Sequence, residues 1–344
     1  MNIHSIIMKI KGEMVVKNFS RITLSRILSL SIFHFLCFLS LSPYAQNYPN
    51  KAIRLIIPFA AGSATDTIGR VFGEHMARTL NQPILIDNKV GANGVIAADF
   101  VAKSTPDGYT LLLGTNTTNA VIQMLLKSVP YDPDRDFSPI SFLGALPQVV
   151  TVTNGFPAKS INELISYAQA HPSKINYAWA NSSQRVSSEM LASMAGVKFY
   201  NVPYKSSPQA MTDLISGEIQ LHITDMIVAF PHVKSGKARA LAVTSQTRSS
   251  SLPDVPTVSE TTGLSGYEVM GLFALFSPAS TPIEIINKLN NAVQKATEDN
   301  EVKSRLATLG LDVQPSTPSE LGARMRLEKQ RWTKVAKDAG IEPQ

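Results

Sequence analysis

The chain has a single cysteine, Cys37, and no repeat, low-complexity tract or coiled-coil heptad. It carries no G-x-S-x-G, P-loop, H-E-x-x-H or dinucleotide fingerprint, so the motif-bearing hydrolases, nucleotide enzymes and zinc proteases are set aside. His75, His171, His222 and His232 show no metal-ligand spacing. Asp66 and Asp225 are the acid pair to weigh for proton transfer, and nothing in the sequence brings them together. Enzyme readings are therefore weak, and neither a cofactor nor a metal is expected.

What is present begins with a leader. Lys9, Lys11, Lys17, Arg21 and Arg26 precede the apolar run Ile27 to Leu41, and Pro43-Tyr44-Ala45 follows. That is the order of a secretory signal, with cleavage expected after Ala45 and the periplasm as destination. The apolar run is too short, and too broken by serine, to span a membrane. Cys37 lies inside it behind His34-Phe35-Leu36, which are not the small residues that lipid attachment needs. The mature chain then has neither thiol nor disulfide and must be held by its own core. Losing residues 1–45 removes five Lys/Arg and one acid, Glu13, so the formal charge falls from +6 to +2 over 299 residues. The basic balance owes much to the leader. No basic run or helix face remains for nucleic acid. About 300 residues suffice for two domains, and a monomer is expected.

From Tyr48 onward, short apolar runs alternate with helical stretches, which predicts βα units and an α/β fold with a largely parallel sheet. Strands are predicted at 54–57, 83–87, 110–114, 148–153, 175–178, 219–223, 239–243 and 269–276. Helices are predicted after Asp66 and at 94–103, 160–170, 187–194, 208–216, 282–297, 302–309 and 318–339. Ser160 with Glu163, Thr281 with Glu284 and Thr317 with Glu320 read as capping boxes. In the stretch Ile53 to Asp66 an apolar strand stops at Pro58, small residues follow, and a helix starts near Asp66, its expected N-cap. Such a turn presents backbone N–H groups to an anion. An ordinary βα turn has the same pattern.

Tyr48-Pro49-Asn50-Lys51-Ala52-Ile53-Arg54 leads into Pro58-Phe59-Ala60-Ala61-Gly62, and Gly91-Ala92-Asn93-Gly94, Thr105-Pro106-Asp107-Gly108-Tyr109 and Pro130-Tyr131-Asp132-Pro133 follow. Then come Val202-Pro203-Tyr204-Lys205, Gly236-Lys237-Ala238-Arg239-Ala240-Leu241 and Leu252-Pro253-Asp254-Val255-Pro256-Thr257. In that order, across the mature chain, this set resembles the Bug receptors, the TctC-like periplasmic components of tripartite tricarboxylate transporters. The resemblance implies a two-lobed periplasmic-binding-protein fold of type II-like form. It implies a ligand cleft between the lobes and two crossover segments, near 142–153 and 269–276. The implied lobes are 46–147 with 270–344, and 148–269, after a signal peptide at 1–45.

The resemblance also implies a small carboxylate as ligand: a di- or tricarboxylate, an amino acid or an aromatic acid. The implied partners are the membrane subunits of the transporter or a sensor protein. A signalling co-receptor, a receptor that has lost its ligand and an enzyme on the same scaffold are the alternatives. Ala61, Gly62 and Asp66 match the first-loop pattern, with Ser63 where a second glycine is usual. Serine resists a positive φ, so a Ser63 amide turned from the cleft would weaken this wall. Thr115, Asn116, Tyr204 and Lys205 stand at further cleft positions. Asn181, Ser182 and Ser183 lie in a stretch, 177–185, that departs from the serine- and glycine-rich pattern of relatives, and a cleft blocked by Trp179 would favour the receptor that has lost its ligand. Asp225, at a strand end, suits a ligand amine or hydroxyl better than a second carboxylate.

Overall fold

The computed structural model describes residues 48–338 and 343. The leader expected at 1–45, with Cys37, lies outside them. Among the described residues, β1 (Ile53–Ile57), β2 (Ile84–Asn88), β3 (Thr110–Thr115), β4 (Phe137–Thr153) and β5 (Asn176–Trp179) are followed by β6 (Tyr200–Pro203), β7 (Leu221–Asp225), β8 (Ala238–Val243), β9 (Met270–Pro278) and β10 (Asp312–Val313). The helices are α1 (Ala64–Leu80), α2 (Val95–Ala102), α3 (Ile122–Leu125), α4 (Ile161–Ala170) and α5 (Ser182–Ala195), then α6 (Ser207–Ser216), α7 (Met226–Lys234), α8 (Ile283–Glu298), α9 (Asn300–Thr308) and α10 (Pro318–Asp338).

The strands run in the order β2-β1-β3-β9-β4-β7-β5-β6, with β8 and β10 also paired to β4. Strands β2, β1 and β3 are parallel, and so are β7, β5 and β6. The antiparallel strands β9 and β4 join the two sets. This is the α/β, two-lobed periplasmic-binding-protein architecture. In β1, Ile53, Leu55, Ile56 and Ile57 are all buried, as a central parallel strand requires. Each contributes about 1.5–3 kcal/mol of burial.

The 17-residue β4 makes the crossing. From Phe137 to Pro147 it pairs with β9, and from Gln148 onward with β7 and β8. The change of partner falls at Pro147, which has no amide to donate. Gln148 N–H donates to Thr244 Oγ1 at 2.8 Å, and Thr244 N–H returns a bond to the Gln148 carbonyl at 3.0 Å. Val269 N–H then donates to the Thr244 carbonyl at 2.9 Å, just before β9 begins. Gly144 in β4 adopts φ +154°, and a Cβ there would stand 2.4 Å from the Asp312 carbonyl oxygen. Only glycine lets β10 approach this closely.

Several local expectations are corrected. The helix expected after Asp66 starts at Ala64, and its N-cap is Ser63, whose Oγ accepts from the Asp66 amide at 3.3 Å. The Thr281 box does not form. Pro282 takes the N-cap position, and the Thr281 hydroxyl donates instead to the Pro278 carbonyl at 2.7 Å. Thr317 and Glu320 do form both reciprocal bonds. The helix expected at 187–194 starts at Ser182, because Asn181 caps it. Helix α7 went unanticipated because Pro231 interrupts its pattern. A π-helical turn at Thr117–Val121, just after β3, has no sequence signal of its own.

Candidate functional site

The first wall is the loop after β1. Gly62 takes the left-handed conformation at φ +78°, and Ser63 follows at φ −70° without strain. The Ser63 amide donates to the Ala60 carbonyl at 3.1 Å. The Gly62 amide donates to Asp66 Oδ2 at 3.0 Å. Asp66 also receives Arg70 Nε at 3.0 Å, Arg70 Nη2 at 2.9 Å and Asn88 Nδ2 at 3.0 Å. Burial pushes its pKa up, but the Arg70, Gly62 and Asn88 hydrogen bonds outweigh burial and hold it below the usual value. Asp66 is thus a brace within the wall. Among the described residues, the amides of Ala64 and Thr65 have no partner, and both residues line the cavity in front of them.

The second wall carries three more helix starts. Asn181 Oδ1 accepts from the Gln184 amide at 3.0 Å and caps α5. Ser206 Oγ accepts from the Gln209 amide at 3.3 Å and caps α6. Asp225 occupies the N-cap position of α7 without a side-chain cap bond. One contact closes the walls on each other: the Ser183 amide donates to Thr117 Oγ1, on the π-turn after β3, at 3.3 Å. Ser182 Oγ is buried there with no partner.

The four helix starts at Ser63, Asn181, Ser206 and Asp225 meet around a cavity of about 10 Å³, room for one water. Thr65, Lys205 and Ser207 complete its polar lining, beside Phe59, Ala60, Ala64 and Ala180. Partial positive charge at four N-termini favours an anion between them. Larger open depressions, of about 610 Å³ beside Ile96 and Phe100 and about 910 Å³ beside Tyr167 and His171, have no such convergence. No group of three His, Cys, Asp or Glu that could hold a metal ion occurs among the described residues.

Of the residues singled out by sequence, Ser63, Asn181, Lys205 and Asp225 line this cavity. Ala61, Gly62 and Asp66 stand behind the first wall, and Ser182 and Ser183 form the first turn of α5. Thr115 bonds within its own turn, accepting from Thr118, while Asn116 Nδ2 reaches across to the Met270 carbonyl at 3.1 Å. Tyr204 turns to its own side: its hydroxyl donates to Asp213 at 2.8 Å, and burial with that partner pushes its pKa up to about 12. Trp179 is not at the cavity; Arg185 lies over its ring at 5.6 Å. Thr65, Thr117, Ser207, Gln148 and Gln184 were missed. For Gln148, the preceding proline at a strand crossing is the one available clue.

Asp225 is 7% exposed. Burial pushes its pKa up to about 6, against its own backbone amide, Gln184 and Gln148, none of them charged. Both glutamines are themselves fixed. Ser187 Oγ donates to Gln148 Oε1, and the Gln184 amide nitrogen donates to Ser207 Oγ at 2.8 Å and Thr224 Oγ1 at 3.1 Å. On the same strand, His222 is fully buried. Its Nδ1 lies 3.1 Å from the Ala178 carbonyl, Nε2 has no partner, and burial lowers its pKa to about 4.

Residues 68–341 match the family described as tripartite tricarboxylate transporter family receptor, TctC. BugT of Bordetella pertussis is 32% identical over 301 residues, covering 87% of this chain and 92% of that protein. Among solved structures, R. palustris Rpa4515 with adipate superposes with a TM-score of 0.84 at 33% identity, covering 86% of this chain and 100% of that one. MatC from Rhodopseudomonas palustris with bound malate gives 0.80 at 34% identity, covering 84% and 99%.

Proposed function

The chain belongs to the tripartite tricarboxylate transporter receptor family, and from that premise we propose that it is a periplasmic receptor closing on a small carboxylate. The observation that carries this is the meeting of four helix N-termini on one small polar cavity. Amides at such termini hold a carboxylate with short charge-assisted hydrogen bonds. The adipate and malate in the two R. palustris proteins support the same ligand chemistry here. The basic-then-apolar leader supports export, with residues 1–45 removed.

In this reading, 46–147 with 270–344 form one lobe and 148–269 the other. The partner change at Pro147–Gln148 and the tie of Val269 to Thr244 support these limits. A cavity of about 10 Å³ is too small for any dicarboxylate, so ligand entry requires the walls to part about those crossings. The receptor acts as a monomer, does not transform its ligand, and hands it to membrane subunits. The test is thermal unfolding of residues 46–344 against mono-, di- and tricarboxylates and amino acids. A ligand present at 100 times its Kd adds about 2.7 kcal/mol to the stability of the folded state. No shift with any acid at millimolar concentration would refute the proposal.

A further inference from the structure

Asp225 is the one acid in the lining of the cavity. Its carboxyl sits against the backbone of β9: a Cβ on Gly271 would come within 2.9 Å of Oδ1, so the group has little room to swing away. Gln148 and Gln184 flank it, and both are locked by serine and threonine hydroxyls. The other charged group in the lining, Lys205, is exposed and makes no ion pair with Asp225 among the described residues. A fixed, buried acceptor without a cationic partner therefore faces the space where a ligand sits.

Four helix N-termini can hold one carboxylate of a ligand, but they leave Asp225 opposed to any second one. Two carboxylates brought together in a buried site repel, whereas an ammonium or hydroxyl would donate to Asp225. A buried carboxylate held only by neutral donors, its own amide, Gln148 and Gln184, gains from a ligand donor and is confronted by a ligand without one, which makes it a discriminator. We propose that Asp225 is a specificity residue selecting carboxylates that bear a hydrogen-bond donor, an amine or a hydroxyl, beside the carboxylate group. This rests on the carboxylate-receptor reading and narrows its substrate class from acids in general to amino and hydroxy acids.

Three matched sets test it by calorimetry on the mature protein at pH 8: propionate, lactate and alanine; succinate, malate and aspartate; glutarate, 2-hydroxyglutarate and glutamate. Within the set of the right length, one donor-bearing acid is expected to bind at least about tenfold more tightly than the unsubstituted acid. Amine and hydroxyl arms separate the two donor types. In Asp225→Asn that ratio is expected to fall to within about twofold, with cooperative urea unfolding of the variant as the separate check that it folds; a folded variant that binds none of the acids would overturn the inference, since Asp225 would then be needed for binding as such. Equal binding within every set, or a preference that survives in Asp225→Asn, would overturn the inference and leave the receptor reading standing. Equal binding accompanied by uptake of one proton would overturn it as well, since Asp225 would then accept a second carboxylate by becoming neutral. If no acid binds, both readings fall together.

Discussion

Replacing Asp225 by asparagine is expected to stabilise the unliganded protein, and by an amount that depends on pH. The carboxyl is buried and its pKa stands at about 6 rather than 3.8. Between those values the folded protein keeps a proton that the unfolded chain has released, so stability falls as pH rises through that window. Above it the full difference applies, and a rise from 3.8 to about 6 corresponds to about 3 kcal/mol. Asparagine keeps the shape and removes the charge. Urea unfolding of both proteins without ligand should then give Asp225→Asn an advantage of about 3 kcal/mol at pH 8, shrinking towards zero by pH 4. His222 works the other way. Its pKa is lowered from 6.5 to about 4, so its contribution is present above 6.5 and is lost as pH falls through that range. It acts equally in both proteins and cancels from their difference. An advantage of the same size at pH 8 and pH 4, or a loss at pH 8, would refute the reasoning.

Two further substitutions probe the walls and the crossing. Thr117→Val removes the acceptor for the Ser183 amide at 3.3 Å, so closing the cleft would bury an unpaired donor at a cost of about 1 kcal/mol or more; ligand release in stopped-flow should be about fivefold faster, and an unchanged rate would separate that bond from closure. Gly144→Ala places a Cβ 2.4 Å from the Asp312 carbonyl oxygen at φ +154°, where relief requires β10 to move. A loss of about 2–4 kcal/mol in urea unfolding is expected, with amide exchange rising first at Asp312 and Val313.

Much of the fold is legible because hydrophobic period and capping chemistry are local. The all-apolar β1 and the Thr317–Glu320 box can be read from neighbouring residues. What escapes is set by distant partners. The 17-residue length of β4 follows from four different strands pairing along it, which no window of sequence contains. The π-turn at Thr117–Val121 decides that Thr117, rather than Thr115 or Asn116, touches the opposite wall. The roles of Gln148 and Gln184 depend on residues between 23 and 40 positions away that lock them in place. A glutamine carries no pattern that announces this.

Ser63 shows how a sound local argument can reach the right atom for the wrong reason. Serine in place of glycine resists a positive φ, and an amide turned from the cleft for that reason would weaken this wall. The positive φ falls one residue earlier, on Gly62, and Ser63 sits unstrained as the cap of α1. Its amide is nonetheless committed, to the Ala60 carbonyl, because the loop closes as a tight turn from Ala60 to Ser63. The Gly62 amide is committed too, to the Asp66 brace. Anion binding on this wall therefore rests on Ala64 and Thr65, whose amides open the helix that Ser63 caps. A second glycine at position 63 would not add a donor; it would remove the hydroxyl that caps α1, and with it some of the order of those two amides.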